Sequence, residues 1–166
     1  MNFTKISFII FVLVCLSNTS FSQNLEGEWR GHYINKVTFT SKINSSVPIT
    51  LKFIKQPDDT YIAHTYTEMI ELIDEKIFRD TTICIARIEN LNQKVFYVEE
   101  HIVLQRSTLK YKNNVPQSAS VPVCFQRMEF KYKLKRDGEY LVGKWTTIAF
   151  GCWDESGSIE LKRVVQ

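Results

Sequence analysis

The sequence predicts an all-β protein, an antiparallel meander of about 8–10 strands closed into a barrel. Apolar and polar residues alternate along many short segments, which is typical of strands with one buried face. Clusters of turn-forming residues separate these segments about every ten residues. No segment after the N-terminal region combines helical periodicity with capping residues. A meander of this length removes its exposed edges by closing on itself.

Residues 1–22 predict a cleavable secretory signal peptide. Lys5 supplies the positive charge, residues 6–16 are apolar, and the small residue Ser22 precedes the predicted cleavage site. The apolar run is shorter than the ~20 residues that a membrane-spanning helix needs, so no membrane span is predicted. The expected product is a secreted or periplasmic protein with one β-barrel domain, residues 23–166.

Charge argues against a nucleic-acid partner. The chain of 166 residues has a formal net charge of +3, and both signs are mixed along it. The basic residues Lys131, Lys133, Lys135 and Arg136 resemble a basic stripe, but most fall on the outward positions of an alternating strand. A solvated face is the expected structure there.

The first half of the domain contains four predicted strands. Residues 49–53 alternate and end at the turn cluster 57–59, and a returning strand follows from Tyr61. The segments 81–91 and 94–106 are rich in β-branched and aromatic residues. The spacing of apolar residues between Glu68 and Phe78 is close to helical, so the sequence leaves a short helix, a strand or a lid open there.

The second half of the domain contains the best hairpin signal. Asp137-Gly138 is a dipeptide that tolerates positive φ at both central positions of a type I′ turn. If these two residues form the turn, apolar residues face each other on one side and Gly143 leaves room for the ring of Tyr132. The expected cross-strand pairs are Leu134 with Leu141, Tyr132 with Gly143, Phe130 with Trp145, and Met128 with Thr147. A last strand is expected at 158–165.

The same register predicts a disulfide bond. Three cysteines, Cys84, Cys124 and Cys152, follow the signal peptide, and an exported protein favours one bond and one remaining thiol. Continuing the ladder places Cys124 beside Gly151, and a single bulge would bring it next to Cys152. Cys84 lies among apolar residues and is interpreted as a buried small hydrophobe.

A motif of the form L-x-G-x-W occurs twice, at Leu25–Trp29 and at Leu141–Trp145. Period-two spacing places leucine, glycine and tryptophan on one face of a strand. Wide indole rings beside glycine are suited to plugging a barrel end.

With Gly27 and Trp29 near its start and Arg163 near its end, the chain resembles the calycin-type barrels, the lipocalins above all. The resemblance implies a lipocalin-like barrel in which Arg163 packs across Trp29. It concerns architecture, and it transfers function only weakly.

The sequence favours a non-enzymatic binder of a small apolar or amphipathic ligand. The candidate lining residues are Phe53, Tyr61, Phe130, Tyr132 and Trp145. An eight-stranded barrel is wide enough either to be filled by side chains or to hold one small ligand, so the sequence leaves a hollow and a filled interior open.

No catalytic or cofactor motif is present, and His32, His64 and His101 lack metal-ligand spacing. We therefore expect no catalytic residues, no metal and no cofactor. The alternative is a module, such as an inhibitor or envelope-assembly factor, that binds another exported protein through its loops at Val115–Val121 and Phe150–Glu155.

Overall fold

The computed structural model describes residues 24–35, 46–73, 76–91, 93–112, 115–118, 124–148 and 155–165. All regular secondary structure in these ranges is β-strand. The predicted signal peptide lies outside them. The strands are β1 (Gly27–Asn35), β2 (Ser46–Lys55), β3 (Tyr61–Ile73), β4 (Lys76–Glu89), β5 (Phe96–Lys112), β6 (Val115–Ser118), β7 (Gln126–Lys135), β8 (Gly138–Thr147) and β9 (Ser156–Arg163).

The strands form an antiparallel meander that closes into a barrel. The hydrogen-bonded order is β4-β3-β2-β1-β9-β8-β7-β5-β6, and a further pairing of β4 with β5 completes the ring. The short strand β6 pairs with the end of β5 and stays outside the ring, which therefore has eight strands. The predicted fold class is confirmed. Within the described residues, no helix of the length and hydropathy needed to cross a membrane is found.

Alternation of apolar residues builds the interior. Along β2, the side chains of Val47, Ile49, Leu51 and Phe53 are buried, while their neighbours are exposed or half-buried. Successive strand residues point to opposite faces, so one face of each of the eight ring strands contributes to a shared core. Burying this face excludes apolar surface from water, which is the main force that closes the barrel.

The turns at one end of the barrel use residues that tolerate a left-handed backbone. Asp59 has a φ of 63° in the predicted turn at 57–59, where its amide donates to the carbonyl of Gln56 at 3.1 Å. Asn90 has a φ of 60° after β4, and its carbonyl accepts from the amide of Gln93 at 2.9 Å. Aspartate and asparagine are the non-glycine residues best suited to such positions.

The segment Glu68–Phe78, whose structure the sequence left open, is a strand hairpin with a two-residue connection. Strand β3 continues to Ile73, β4 begins at Lys76, and these two residues are cross-strand partners. The near-helical spacing of apolar residues does not produce a helix. Within the described residues, β2 pairs with β3 as far as Thr67, and β4 pairs with β5 as far as Phe78.

The predicted register of the hairpin between β7 and β8 is wrong by two residues. The turn residues are Arg136 and Asp137, and Gly138 takes the positive φ, at 138°, just after the turn. A type I′ turn needs positive φ at both central residues, which neither Arg136 nor Asp137 adopts. The observed pairs are Leu134 with Glu139, Tyr132 with Leu141, Phe130 with Gly143, Met128 with Trp145, and Gln126 with Thr147.

Two detailed expectations change with this register. Gly143 lies opposite Phe130 instead of Tyr132, and a Cβ atom added to it would meet the carbonyl oxygen of Glu129 at 1.6 Å. The glycine therefore allows the two backbones to approach closely. Leu134 was expected on the buried face, but it is 75% exposed. It lies close to the turn, where the strand has passed the end of the core.

The structure describes two of the three cysteines that follow the predicted signal peptide, Cys84 and Cys124. Cys84 is buried and is a free cysteine, as expected, whereas Cys124 is not free. Cys152 lies outside the described residues, so its pairing with Cys124 stays a prediction. The amide of Ile148 donates to the carbonyl of Phe125 at 3.0 Å, which continues the observed register toward Cys124. The register argument for the pairing therefore no longer holds, although the count of cysteines still favours it.

Thiol labelling followed by non-reducing peptide mapping tests this assignment. Because burial, and then the charge of Glu100, raise the pKa of Cys84 to about 12, we expect its thiol to stay unlabelled until the protein is unfolded. The mapping is expected to find Cys124 linked to Cys152. A bridge that contains Cys84 would contradict the assignment.

Candidate functional site

One end of the barrel is filled by aromatic rings. We call Trp29, Phe53, Phe96, Phe130 and Tyr132 the aromatic plug. The ring centroids of Trp29 and Phe53 are 6.4 Å apart, and those of Phe96 and Phe130 are 5.7 Å apart. Further edge contacts join Phe53 to Phe96 and Trp29 to Tyr132. Such tilted and edge-to-face pairs stabilise a core beyond the area that they bury.

The N-terminal segment and the last strand seal this end. The indole nitrogen of Trp29 donates to the carbonyl of Leu25 at 2.9 Å. The guanidinium carbon of Arg163 lies 4.8 Å from the centre of the Trp29 ring, which is the contact that the lipocalin resemblance implies. Arg163 also donates to the carbonyl of Asn24 and pairs with Glu139 at 2.6 Å. These contacts place the first L-x-G-x-W motif at the closed end.

The five predicted lining residues separate into two places. Phe53 and Phe130 are fully buried in the aromatic plug, and Tyr61 and Tyr132 pack against the same core. These four side chains form part of the packed interior. Trp145 lies elsewhere in the interior. Its indole stacks on the ring of Tyr33 at a centroid distance of 4.9 Å.

Polar side chains occupy the interior beyond the plug. We call Tyr33, Thr65, Cys84, Glu100, Gln126 and Trp145 the polar layer. At its centre Glu100 is 5% exposed. One carboxylate oxygen accepts a hydrogen bond from the hydroxyl of Thr65, and the other accepts from the backbone amide of Gln126 at 2.9 Å. Both donors are neutral groups, so this buried carboxyl has hydrogen bonds but no cation among these partners.

Burial perturbs the acid–base properties of this layer. Desolvation raises the pKa of Glu100 to about 7, although its two hydrogen bonds act in the opposite direction. Burial, and then the charge of Glu100, raise the pKa of Tyr33 well above its usual value and that of Cys84 to about 12. The three groups therefore lie within electrostatic range of one another. Buried groups with perturbed pKa values of this kind cluster at functional sites.

The cation that acts on Cys84 in this layer already has a partner. Arg106 lowers the pKa of Cys84, but its guanidinium is bonded to the carboxylate of Asp80 at 2.6 Å. The pairing of β4 with β5 shifts register twice, between Ile83 and Cys84 and between Ile85 and Ala86. Bulges of this kind re-aim side chains next to binding sites. On β5 both shifts fall between Glu100 and Arg106, and Glu100 itself faces inward by simple alternation from Phe96 and Val98.

Two buried polar atoms of the layer have no hydrogen-bond partner within the described part of the chain. They are the side-chain oxygen of Gln126, an acceptor, and the indole nitrogen of Trp145, a donor. Trp145 is 3% exposed, and its indole nitrogen lies near Gly157, where an added Cβ would be 2.7 Å away. Unpaired buried polar atoms each cost about 1–3 kcal/mol and therefore need an explanation.

Glu100 is a site residue that the sequence patterns did not indicate. The described residues hold no group of three or more metal-ligating side chains. Alternation along β5 could have indicated Glu100. Phe96 and Val98 are buried, and period-two spacing from them leads to Glu100. Glu99 points outward and pairs with Arg87 and Arg127.

Comparison with family models, with curated proteins and with solved structures finds no match for this chain. The function is therefore inferred from the geometry of the chain itself.

Proposed function

We propose that this protein binds a small amphipathic molecule inside its barrel, with the polar end of the ligand at the polar layer. The observation that carries the proposal is Glu100, a buried carboxyl whose two hydrogen-bond donors within the described residues are both neutral. Burying such a group costs free energy, and the two unpaired atoms beside it, on Gln126 and Trp145, add to the cost. A ligand with complementary polar groups would offset these costs.

The aromatic plug defines which part of the interior is available to the ligand. Phe53, Phe130 and Tyr132 already contact neighbouring rings or side chains, so we assign them to the closed end of the calyx. Of the residues expected to line a pocket, Trp145 is the one that we assign to the ligand. Its partner Tyr33 supplies a second aromatic surface.

Two further parts of the proposal concern export and the type of barrel. The segment 1–22 directs export, and cleavage after Ser22 leaves Gln23 as the first residue of the exported form. A lipocalin-like assignment is supported by the eight-stranded meander and by the Arg163 contact with Trp29. The alternative is a module that binds proteins through loops. Of its two predicted loops, residues 115–118 form the strand β6 instead, and residues 119–121 and 150–154 lie outside the described ranges.

Native mass spectrometry of the protein purified from its own host tests the proposal. We expect an extra mass that survives purification and disappears on extraction with organic solvent. Restoring the extract should move the NMR signal of the Trp145 indole N–H. The Trp29 indole N–H provides an internal control, because it is already bonded to Leu25 and should not move.

A clean apo mass, together with an extract that leaves the Trp145 signal in place, would contradict ligand binding at the polar layer. A clean apo mass with a co-purifying protein would favour the protein-binding alternative.

A further inference from the structure

We infer that the polar end of the ligand is an ammonium group, held between the carboxylate of Glu100 and the stacked rings of Tyr33 and Trp145. This inference rests on the proposed function and specifies its ligand class. The first observation is the uncompensated charge of Glu100. An ionised Glu100 has only neutral partners among its hydrogen-bond donors, and Arg106 is engaged with Asp80. A cationic ligand would therefore supply the charge that the polar layer lacks.

The same charge disfavours other polar groups. A carboxylate or phosphate ligand would bring a second negative charge beside Glu100 in a region of low dielectric, where like charges repel strongly. A hydroxyl group could donate one hydrogen bond to Glu100 but would leave its charge uncompensated. Hydrogen bonds between an ammonium and a carboxylate are about twice as strong as those between neutral groups.

Hydrogen-bond geometry also fits an ammonium group. Each carboxylate oxygen of Glu100 accepts one bond from the protein and retains a further lone pair. The side-chain oxygen of Gln126 is a buried acceptor with no partner in the described part of the chain, and the backbone amide of the same residue bonds to Glu100. An ammonium offers several N–H donors, so it can satisfy both residues at once.

The aromatic pair supplies a surface over which a cation can bind. The rings of Tyr33 and Trp145 are 4.9 Å apart and tilted by 32°. Trp145 is the cross-strand partner of Met128, two residues from Gln126, whose amide bonds to Glu100, so the aromatic pair and the carboxyl share one neighbourhood. Cations bind favourably over tryptophan and tyrosine faces, by about 2 kcal/mol or more where water is excluded. A carboxylate with aromatic walls is therefore a site for an organic amine.

Titration calorimetry with matched probes tests the inference on the exported form after organic extraction. The probes share a phenethyl or an octyl tail and differ in the end group, which is an amine, an alcohol or a carboxylate. At about pH 8 Glu100 is ionised, and we expect at least one amine to bind about tenfold tighter than its alcohol, with the carboxylates weakest.

The variant Glu100→Gln should lose this preference, so that the amine affinity falls about tenfold while the alcohol affinity changes less than about twofold. Glu100→Gln removes a costly buried charge, so we expect it to fold. Glu99→Gln is the matched control, because Glu99 lies on the outer face and pairs with Arg87 and Arg127. It should keep the preference for the amine.

The possible outcomes separate the inference from the proposed function. Equal binding of amine and alcohol, or an unchanged preference in Glu100→Gln, overturns the ammonium assignment. If the host-derived mass and the Trp145 signal still report a ligand, binding at the polar layer stands without an amine. If no probe binds and the host-derived mass is also absent, both the inference and the proposed function fail.

Discussion

Replacing Phe130 by alanine is expected to destabilise the barrel by about 3–5 kcal/mol. The ring is fully buried, stacks on Phe96, and lies opposite Gly143, which has no side chain to fill the space. Removing it leaves a cavity in the aromatic plug, because a closed ring of strands cannot easily collapse around it. Urea unfolding followed by circular dichroism measures the change.

Leu134→Ala is the matched control on the same strand. The sequence pattern placed Leu134 on the buried face, but its side chain is 75% exposed. We expect a change within about 0.5 kcal/mol, as for most surface substitutions. A large loss of stability for Leu134→Ala, or a small one for Phe130→Ala, would contradict the position of the core along β7.

The stability of the protein without ligand is expected to fall by about 3 kcal/mol between pH 4.5 and pH 7 because of Glu100 alone. The pKa of this carboxyl rises from 4.5 to about 7 on folding, since burial disfavours its charged form. Between these values the folded chain binds more protons than the unfolded chain. Stability is therefore greatest on the acidic side of this window and declines as the pH rises through it.

The difference between the wild-type protein and Glu100→Gln isolates this effect, because every other titrating group is present in both. We expect the variant to be the more stable protein at about pH 8 and to lose the decline through the window. Glu99→Gln should lose its ion pairs with Arg87 and Arg127 and still keep the decline. An identical pH profile for wild-type protein and Glu100→Gln would contradict the burial of an uncompensated carboxyl.

The sequence predicts which face of each strand is buried better than it predicts which residues pair across strands. Apolar alternation identifies which side chains point inward, and it correctly placed Phe53, Phe130 and Trp145 in the interior. A shift of two residues leaves every side chain on the same face, so alternation cannot distinguish the predicted hairpin register from the observed one. The turn decides the register. Gly138 is used after the turn instead of within it.

Other features depend on contacts between distant parts of the chain. The near-helical spacing in Glu68–Phe78 is overridden by pairing within the hairpin that these residues form. The polar layer collects residues from six different strands. Local patterns do not report such an arrangement, because it exists only once the barrel has closed.

The most direct measurement is an NMR titration of the Glu100 side-chain carboxyl in the extracted protein, assigned by comparison with Glu100→Gln. A buried carboxyl with neutral partners should titrate with a midpoint of about 7, and a bound amine should lower that midpoint by favouring the ionised form. A midpoint close to the ordinary value of 4.5 would show that water or a protein cation already compensates Glu100. In that case the polar layer would not need a ligand, and the proposed function would lose its physical basis.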